Sequence, residues 1–264
     1  MSLERFDVAL VHADNPGPFT LTGTNTWLVG RDPCWIVDPG PDLAKHVERV
    51  LAEAARRGGA AGIALTHDHP DHAGAAAAVR AGAGGVPVGA ARWAGADVTL
   101  ADGDTFGPLE VVATPGHATD HLAFVAGRLC FTGDAVLAQS SVFVAPDPGA
   151  LRGYLAALER LRALPLDLLC TGHGPPVEDP AALIDRYLAH RADRERRLLA
   201  ALDDGLRSVD DLLDRAWSDA PPSLRLAAAA TLLAHLGKLE DEGRLPPDVE
   251  RPPWPPAGGL RPVV

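Results

Sequence analysis

The sequence of 264 residues predicts an α/β domain followed by an all-helical region. Up to about residue 178, short apolar runs punctuated by glycine alternate with helix-forming segments, which is typical of an α/β domain. Beyond it, every recognisable segment has the spacing and start signals of a helix. Several apolar runs also end in His or Asp, which indicates a site at strand ends. We therefore expect a catalytic domain at 1–178, a helical domain at 179–246 and a proline-rich tail at 247–264.

Composition and charge narrow the class of protein. Hydrophobic residues make up 47% of the chain, enough for a sizeable core, and the formal net charge is −11. No run of eighteen apolar residues could span a bilayer, and the N-terminus lacks the features of a secretory signal. Three cysteines, an odd number, argue against a disulfide framework. We predict a cytoplasmic protein with no membrane partner, and the sequence allows a homo-oligomer.

The first site element is the stretch Thr66–His72, which reads THDHPDH. It follows the apolar run 62–65 and precedes a run of small helix formers at 73–79, so it is predicted to be a tight loop between a strand and a helix. Imidazoles and carboxylates suit zinc and similar cations. The stretch offers four candidate metal ligands at a spacing that splits them between two ions: His67, His69, Asp71 and His72.

Three later segments repeat this pattern. His117 follows the strand-like run 109–112, Asp134 closes the run 129–133, and His173 closes the run 168–172. Because loops at strand ends can bring distant side chains together on a rigid scaffold, we expect all three near the first cluster.

The C-terminal third contains helix start signals. Asp147 and Asp179 each precede a proline, which predicts an N-cap followed by Pro at the first helical turn. The helix from Asp179 is predicted to end near Gly205, Ser208 to cap a third helix, and Ser223 to open a fourth.

The motifs HxHxDH, TPGH, TGD and GHG, in this order, resemble those of the metallo-β-lactamase superfamily. The resemblance covers roughly residues 20 to 180 and implies a four-layered αββα sandwich with two metals at one edge. It implies that His67, His69 and His117 hold one metal. The second would be held by Asp71, His72 and His173, with Asp134 bridging both.

That ligand set implies a hydrolase. Two neighbouring cations can share a water, lower its pKa and polarise the bond under attack, so that a metal-bridging hydroxide is the nucleophile. Asp71 and Asp134 are the expected catalytic residues, with Asp71 also orienting the nucleophile. Zinc is the expected metal for both positions, with iron or manganese as alternatives. Asp68 is either a hydrogen-bond partner of a ligating imidazole or a solvent-exposed carboxylate.

The helical end is similar to the C-terminal winged-helix-like module of the lactamase-β-like-protein-2 group. This resemblance implies cleavage of single-stranded RNA, and the predicted partner is therefore single-stranded RNA or a small thioester. Charge gives RNA little support, since residues after 180 carry 12 basic and 14 acidic side chains. The arginines of the long helix from Arg186 to Arg197 either follow phosphates or form a solvated face that pairs with neighbouring acids.

Other functions stay open at this stage. A thioesterase of the glyoxalase II kind shares the THxHxDH cluster, while a true β-lactamase would be exported and this chain shows no signal. A lesser alternative is a non-catalytic binding protein stabilised by its metals, although structural zinc sites are closed by four ligands. His121 is either an acid toward the leaving group or a structural imidazole, and His190 lies either in the cleft or on the helix surface.

Overall fold

A computed structural model describes residues 3–139 and 141–251; the predicted tail beyond 251 lies outside the described residues. The N-terminal part forms a mixed sheet in which the strands follow chain order, antiparallel from the first to the third and parallel thereafter. Its strands are β1 (Val8–His12), β2 (Asn25–Val29), β3 (Cys34–Val37), β4 (Ala60–Ala64), β5 (Val88–Ala90) and β6 (Val98–Thr99).

A second sheet of five strands has the reverse order, from the last strand to the first. Its strands are β7 (Thr105–Phe106), β8 (Leu109–Ala113), β9 (Leu122–Ala126), β10 (Leu129–Gly133) and β11 (Leu168–Thr171). The two sheets pack face to face through alternate inward side chains of both. Trp27 of β2, for example, contacts Phe131 of β10 at 6.3 Å between ring centroids.

Helices cover the outer faces of both sheets and form the C-terminal module. They are α1 (Ala44–Arg56), α2 (Pro70–Ala73), α3 (Ala76–Gly82), α4 (Ala150–Ala163), α5 (Pro180–Asp203), α6 (Val209–Ala216) and α7 (Arg225–Asp241). Single 3-10 turns occur at Leu3–Phe6 and Pro222–Leu224. Helices α1 to α3 pack on the first sheet, and α4 with the first half of α5 packs on the second, so the predicted αββα fold is confirmed.

Helix α5 belongs to two cores. Leu183, Ile184 and Tyr187 pack against α4 and the second sheet, whereas Leu198 and Leu202 pack against α6 and α7. The helix therefore joins the sandwich to the C-terminal helices, and the proposed domain boundary at 178/179 stays a prediction. None of the described helices is long and apolar enough to cross a membrane.

Two of the four predicted helix starts are confirmed and two are wrong. The side chains of Asp179 and Ser208 accept hydrogen bonds from the amides of Ala182 and Asp211. Asp147 does not cap α4, because the chain makes one more turn and the helix follows Gly149, a residue in the left-handed region (φ 75°). Ser223 lies inside a 3-10 turn, and α7 follows Leu224, whose side chain forms no capping hydrogen bond.

Candidate metal centre

The HxHxDH stretch connects β4 to α2 at the carboxyl end of the first sheet. Pro70 occupies the first turn of α2, and Asp71 and His72 follow on that turn, so their side chains project from a short rigid helix. The sequence predicts a loop through His72 with the helix after it. The helix instead begins inside the motif, at Pro70. The stretch is joined to the second sheet where the Leu122 amide donates to the Thr66 carbonyl at 2.7 Å.

One group of ligand atoms comes from His67, His69 and His117. Nδ1 of His69 lies 2.9 Å from Nε2 of His67 and 3.1 Å from Nε2 of His117. Burial lowers the pKa of His67 well below its usual range and that of His117 to about 4. The rings are therefore neutral, and their lone pairs can be directed at a shared cation.

A second group comes from Asp71, His72 and His173. Nε2 of His173 lies 3.2 Å from Oδ2 of Asp71 and 3.3 Å from Nε2 of His72. Burial opposes a charged imidazole, but the carboxylate of Asp134 outweighs it and raises the pKa of His173 to about 9. A divalent cation would take the place of this positive charge among the carboxylates.

Asp134 lies between the two groups. Its Oδ1 is 3.3 Å from Nε2 of His173 and 3.4 Å from Nε2 of His72, and its Oδ2 is 3.6 Å from Nε2 of His117. Burial alone would raise the pKa of Asp134, yet His173 and His72 hold it well below the usual range. Oδ1 is buried and has no hydrogen-bond partner among the described residues. An ionised, buried carboxylate oxygen without a donor fits a metal ligand.

The structure therefore brings all seven predicted ligands together. Their ligand atoms form three overlapping sets, and the atoms within each set lie within 4.8 Å of one another. The sets are His67/His69/His117, His67/His72/Asp134 and Asp71/His72/His173. The donors are imidazole nitrogens and carboxylate oxygens, which suit zinc, iron or manganese, so the donor set fits divalent cations without selecting one.

Sequence reasoning missed Asp38, which follows β3. This buried carboxylate accepts three hydrogen bonds of 2.8 Å, from the Thr66 amide, the Thr66 hydroxyl and Nδ1–H of His72. With Nδ1 holding the proton, Nε2 of His72 is left free for a metal. The signal was present in the sequence, because Asp38 closes the apolar run 34–37 just as Asp134 closes the run 129–133.

A backbone carbonyl and a glycine also help to position the candidate ligands. Nδ1–H of His173 donates to the Gly23 carbonyl at 3.1 Å, which directs Nε2 of His173 at the site. A Cβ on Gly172 would lie 2.7 Å from both Oδ1 of Asp134 and Cε1 of His72. The GHG turn therefore requires glycine at this position because the ligands approach its backbone closely.

His121 is a structural imidazole rather than an acid toward a leaving group. The Asp134 amide donates to its Nε2 at 3.1 Å, and its Nδ1 lies 2.7 Å from the Thr114 hydroxyl. Both ring nitrogens are thus engaged, and burial lowers the pKa of His121 well below its usual range. Asp68 is exposed, and its backbone amide donates to the Asp120 carboxylate at 3.1 Å.

A cavity of about 370 Å³ opens onto the metal cluster. Much of its wall is apolar, from Phe19, Leu21, Leu137, Val142, Phe143 and Leu224. Five carboxylates also line it: Asp68, Asp71, Asp120, Asp134 and Asp147. Arg92 is the one cationic side chain in the lining formed by the described residues, and it pairs with Asp120 at 3.3 Å.

Comparison with known proteins places this geometry in a family. The model of the metallo-beta-lactamase superfamily matches residues 19–97 and 80–173, which together span more than half of the chain. The chain belongs to the metallo-beta-lactamase superfamily. A second model, the beta-lactamase associated winged helix domain, matches residues 208–246. This superfamily member is a metal-dependent hydrolase that carries a C-terminal winged-helix domain.

Curated relatives extend the match over most of the chain. It is 30% identical over 257 residues to a beta-lactamase-like protein 2 homolog of Caenorhabditis elegans, covering 89% of this chain and 85% of the relative. The homolog of the same name in Drosophila melanogaster is 31% identical, with 88% and 87% covered. Thioesterase pkgB of Emericella nidulans is 34% identical over 198 residues, with 71% of this chain and 56% of the relative covered.

Solved structures agree on the fold. A beta-lactamase domain protein from Burkholderia ambifaria superposes with a TM-score of 0.77 at 22% identity, covering 90% of this chain and 86% of its own. A metallo-beta-lactamase family protein from Thermus thermophilus gives 0.70 at 24% identity, with 90% and 94% covered. TTHA1623, solved in a di-iron-bound form, gives 0.53 at 29% identity, with 68% and 98% covered.

In this metallo-beta-lactamase superfamily member, the arginines of α5 do not form an open basic face. Arg191 and Arg194 are buried, and Arg194 pairs with Asp219. Arg196 and Arg197 both pair with Asp193 on the same helix. The interpretation as a solvated face that pairs with neighbouring acids is therefore correct for Arg196 and Arg197. For Arg191 and Arg194 both alternatives are wrong, because these two side chains are buried.

His190 lies outside the metal cavity. It is half-buried on α5 beside Arg186 in a separate surface depression, so neither of the two residues lines the cavity over the cluster. The sequence alternative of a helix-surface histidine is the one that the structure supports.

Proposed function

We propose that this protein hydrolyses thioesters, or closely related esters, whose acyl group is apolar. The observation that carries the proposal is the cavity over the metal cluster, whose wall is largely apolar and whose one arginine is already paired with Asp120. A cavity of about 370 Å³ is within the range of sites for small molecules.

Charge in the cavity favours a neutral reacting group. Five aspartates and one arginine line it, so two divalent cations would bring the lining close to neutrality and leave no surplus of positive charge. Proteins that bind a polyanion use several lysines or arginines along the phosphate track. A thioester carbonyl needs no such track.

Single-stranded RNA, the first expectation from the sequence, remains the alternative substrate. Its support lies in the winged-helix match and in two aromatic side chains of the cavity, Phe19 and Phe143, on which bases could stack. The ion pairs of Arg194, Arg196 and Arg197 weigh against it, because a phosphate would have to replace the carboxylate that each of these side chains already contacts. The name of Thioesterase pkgB favours the thioester.

Each group of residues at the site has a separate role in the proposed hydrolysis. Two divalent metals, when bound, would activate water and polarise the carbonyl of the substrate. His67, His69 and His117 would hold one cation, and Asp71, His72 and His173 the other, with Asp134 between them. Asp71 faces the cavity and can orient the attacking water by accepting a hydrogen bond.

A paired assay tests the proposal. Zinc-, iron- and manganese-loaded protein is given thioesters of N-acetylcysteamine with acyl groups from acetyl to 3-phenylpropionyl, with the released thiol measured. The same preparations are given a fluorescently labelled single-stranded RNA. We expect turnover of the phenylpropionyl thioester with every metal that binds.

Two variants control the assay. Asp134→Asn removes the charge of the carboxylate that lies between the two groups of candidate ligands, at equal volume, and should abolish turnover. Asp147→Asn alters an exposed aspartate of the same cavity and should retain most of it. RNA cleavage that Asp134→Asn abolishes, with no thioester turnover, would overturn the proposal in favour of a nuclease.

A further inference from the structure

Residues 141–145, which we call the cavity loop, form one wall of the cavity. Its residues Ser141, Val142, Phe143 and Ala145 all line that space. The Phe143 ring packs edge-on against the ring of His117, a candidate metal ligand, at 4.8 Å between centroids. Phe143 is thus an aromatic side chain of the cavity that lies directly beside a candidate metal ligand.

The cavity loop has no helix or strand of its own, and side chains of the C-terminal helices hold it in place. Arg191 of α5 donates to the Val142 carbonyl and, at 3.3 Å, to the Ser141 hydroxyl. The Val144 amide donates to the hydroxyl of Thr231 on α7 at 3.3 Å. A backbone bond at 2.9 Å, from the Ala145 amide to the Gly116 carbonyl, joins the loop to the TPGH turn.

Arg191 is positioned to hold the cavity loop. It is buried, with its guanidinium 5.4 Å from the centre of the Tyr154 ring. A buried cation is costly unless hydrogen bonds and an aromatic face compensate for the lost water. The hydrogen bonds of Arg191 go to the cavity loop, so its position and the position of the loop are coupled.

The C-terminal helices also contribute to the cavity directly. Leu224, in the 3-10 turn before α7, and Ala227, in the first turn of α7, both line it. The cavity therefore lies between the sandwich, which supplies the candidate ligands, and the C-terminal helices, which add two apolar residues to the wall and support the cavity loop.

We propose that the cavity loop is the specificity determinant of this enzyme. Phe143 contacts the apolar acyl group of the substrate, and Arg191 and Thr231 are positioning residues that fix Phe143. This rests on the proposed function for the identity of the acyl group. It follows that the C-terminal helices set the size of acyl group that the enzyme accepts.

Two matched pairs of variants test the positioning role. Arg191→Lys keeps the charge but loses the planar guanidinium. Arg194→Lys makes the same change at an equally buried arginine whose bonds go to Ala216 and Asp219 instead of the loop. Thr231→Val removes the hydroxyl at similar volume, and Thr231→Ser keeps it.

The readout is the ratio of kcat/KM for the 3-phenylpropionyl and acetyl thioesters, with KM and kcat resolved. Phe143→Ala should lower this ratio about tenfold, mainly through KM, since a lost apolar contact changes discrimination by that order. Arg191→Lys and Thr231→Val should lower it several-fold, while Arg194→Lys and Thr231→Ser leave it unchanged. A ratio unchanged in folded Phe143→Ala and Arg191→Lys proteins would overturn the proposal.

Calorimetry separates failure of this inference from failure of the proposed function. Acetate and 3-phenylpropionate, the two carboxylic acid products, are titrated into zinc-loaded protein. If neither thioester is hydrolysed, tighter binding of phenylpropionate that Phe143→Ala abolishes would still support the cavity loop as the determinant. Equal binding of both acids to the unchanged protein would overturn it.

Discussion

Replacing Asp38 by Asn should weaken one metal position far more than the other. The Asp38 carboxylate lies in the interior and accepts hydrogen bonds from the Thr66 amide, the Thr66 hydroxyl and Nδ1–H of His72, each at 2.8 Å. Asparagine has the same shape but replaces one acceptor oxygen by an NH₂ group. With its oxygen toward the Thr66 amide, its NH₂ group faces Nδ1–H of His72, so that two donors confront one another.

The magnitude follows from two independent estimates. A buried donor left without its acceptor costs about 1–3 kcal/mol. Loss of the partner of a metal-ligating histidine weakens metal binding by about 10–100-fold, which corresponds to about 1.4–2.7 kcal/mol. The two ranges overlap, so we expect a 10–100-fold loss of affinity for the cation of Asp71, His72 and His173. The cation of His67, His69 and His117 should be affected much less.

Competition with a chromophoric chelator, which resolves two successive zinc affinities, measures the effect. Asp97→Asn is the matched control, because Asp97 accepts the Val88 amide at 2.9 Å in the same sheet but does not line the cavity. Unchanged zinc affinities in a folded Asp38→Asn protein would refute the reasoning. An equal loss at both positions would show instead that Asp38 supports the whole loop rather than His72.

Three further predictions concern close packing, charge and capping. Gly172→Ala places a Cβ 2.7 Å from Oδ1 of Asp134 and should reduce bound metal from two ions to one or none, as measured by elemental analysis. Nearby His235 and Lys238 lower the pKa of Glu195 from 4.5 to about 2, so its stabilisation is complete above pH 4.5 and is lost as the pH falls toward 2. In urea unfolding of metal-free protein, Glu195→Gln should cost on the order of 1 kcal/mol at pH 7, with allowance for solvent screening, and almost nothing near pH 2. Ser208→Ala should cost about 1 kcal/mol at pH 7, since it removes the α6 cap; no change would mean that water replaces the serine hydroxyl.

The clustering of the seven candidate ligands could be predicted because each of them carries a local signal. His117, Asp134 and His173 each close an apolar run or follow one directly, and strands of one edge bring such residues together whatever the details of packing. Asp38 shows the same signal and was missed only because one carboxylate after a strand is common without function. The layered fold followed from the motif resemblance, which the match over 19–173 confirms.

The predictions that failed depend on local backbone geometry or on burial. Aspartate and serine are both residue types that suit an N-cap. However, the helix after Asp147 begins one turn later, after Gly149, and Ser223 lies within the 3-10 turn that precedes α7. The sequence predicts Arg191 and Arg194 on the surface of the long helix, because arginine is seldom buried. Arg191 packs over the ring of Tyr154, and Arg194 packs over the ring of Trp217; both rings belong to other parts of the chain. No spacing in the sequence reveals such contacts.

The residues proposed for the chemistry and those proposed for specificity thus differ in how far apart they lie in the sequence. The four ligands of the HxHxDH stretch lie within seven residues, whereas Arg191 and Thr231 reach the cavity loop across separations of 49 and 87 residues. Substitutions in the C-terminal helices can consequently reshape the cavity without contact with any ligand. Relatives with the same seven ligands could therefore differ in substrate, and their selectivity should correlate with the residues that hold the cavity loop rather than with the metal site.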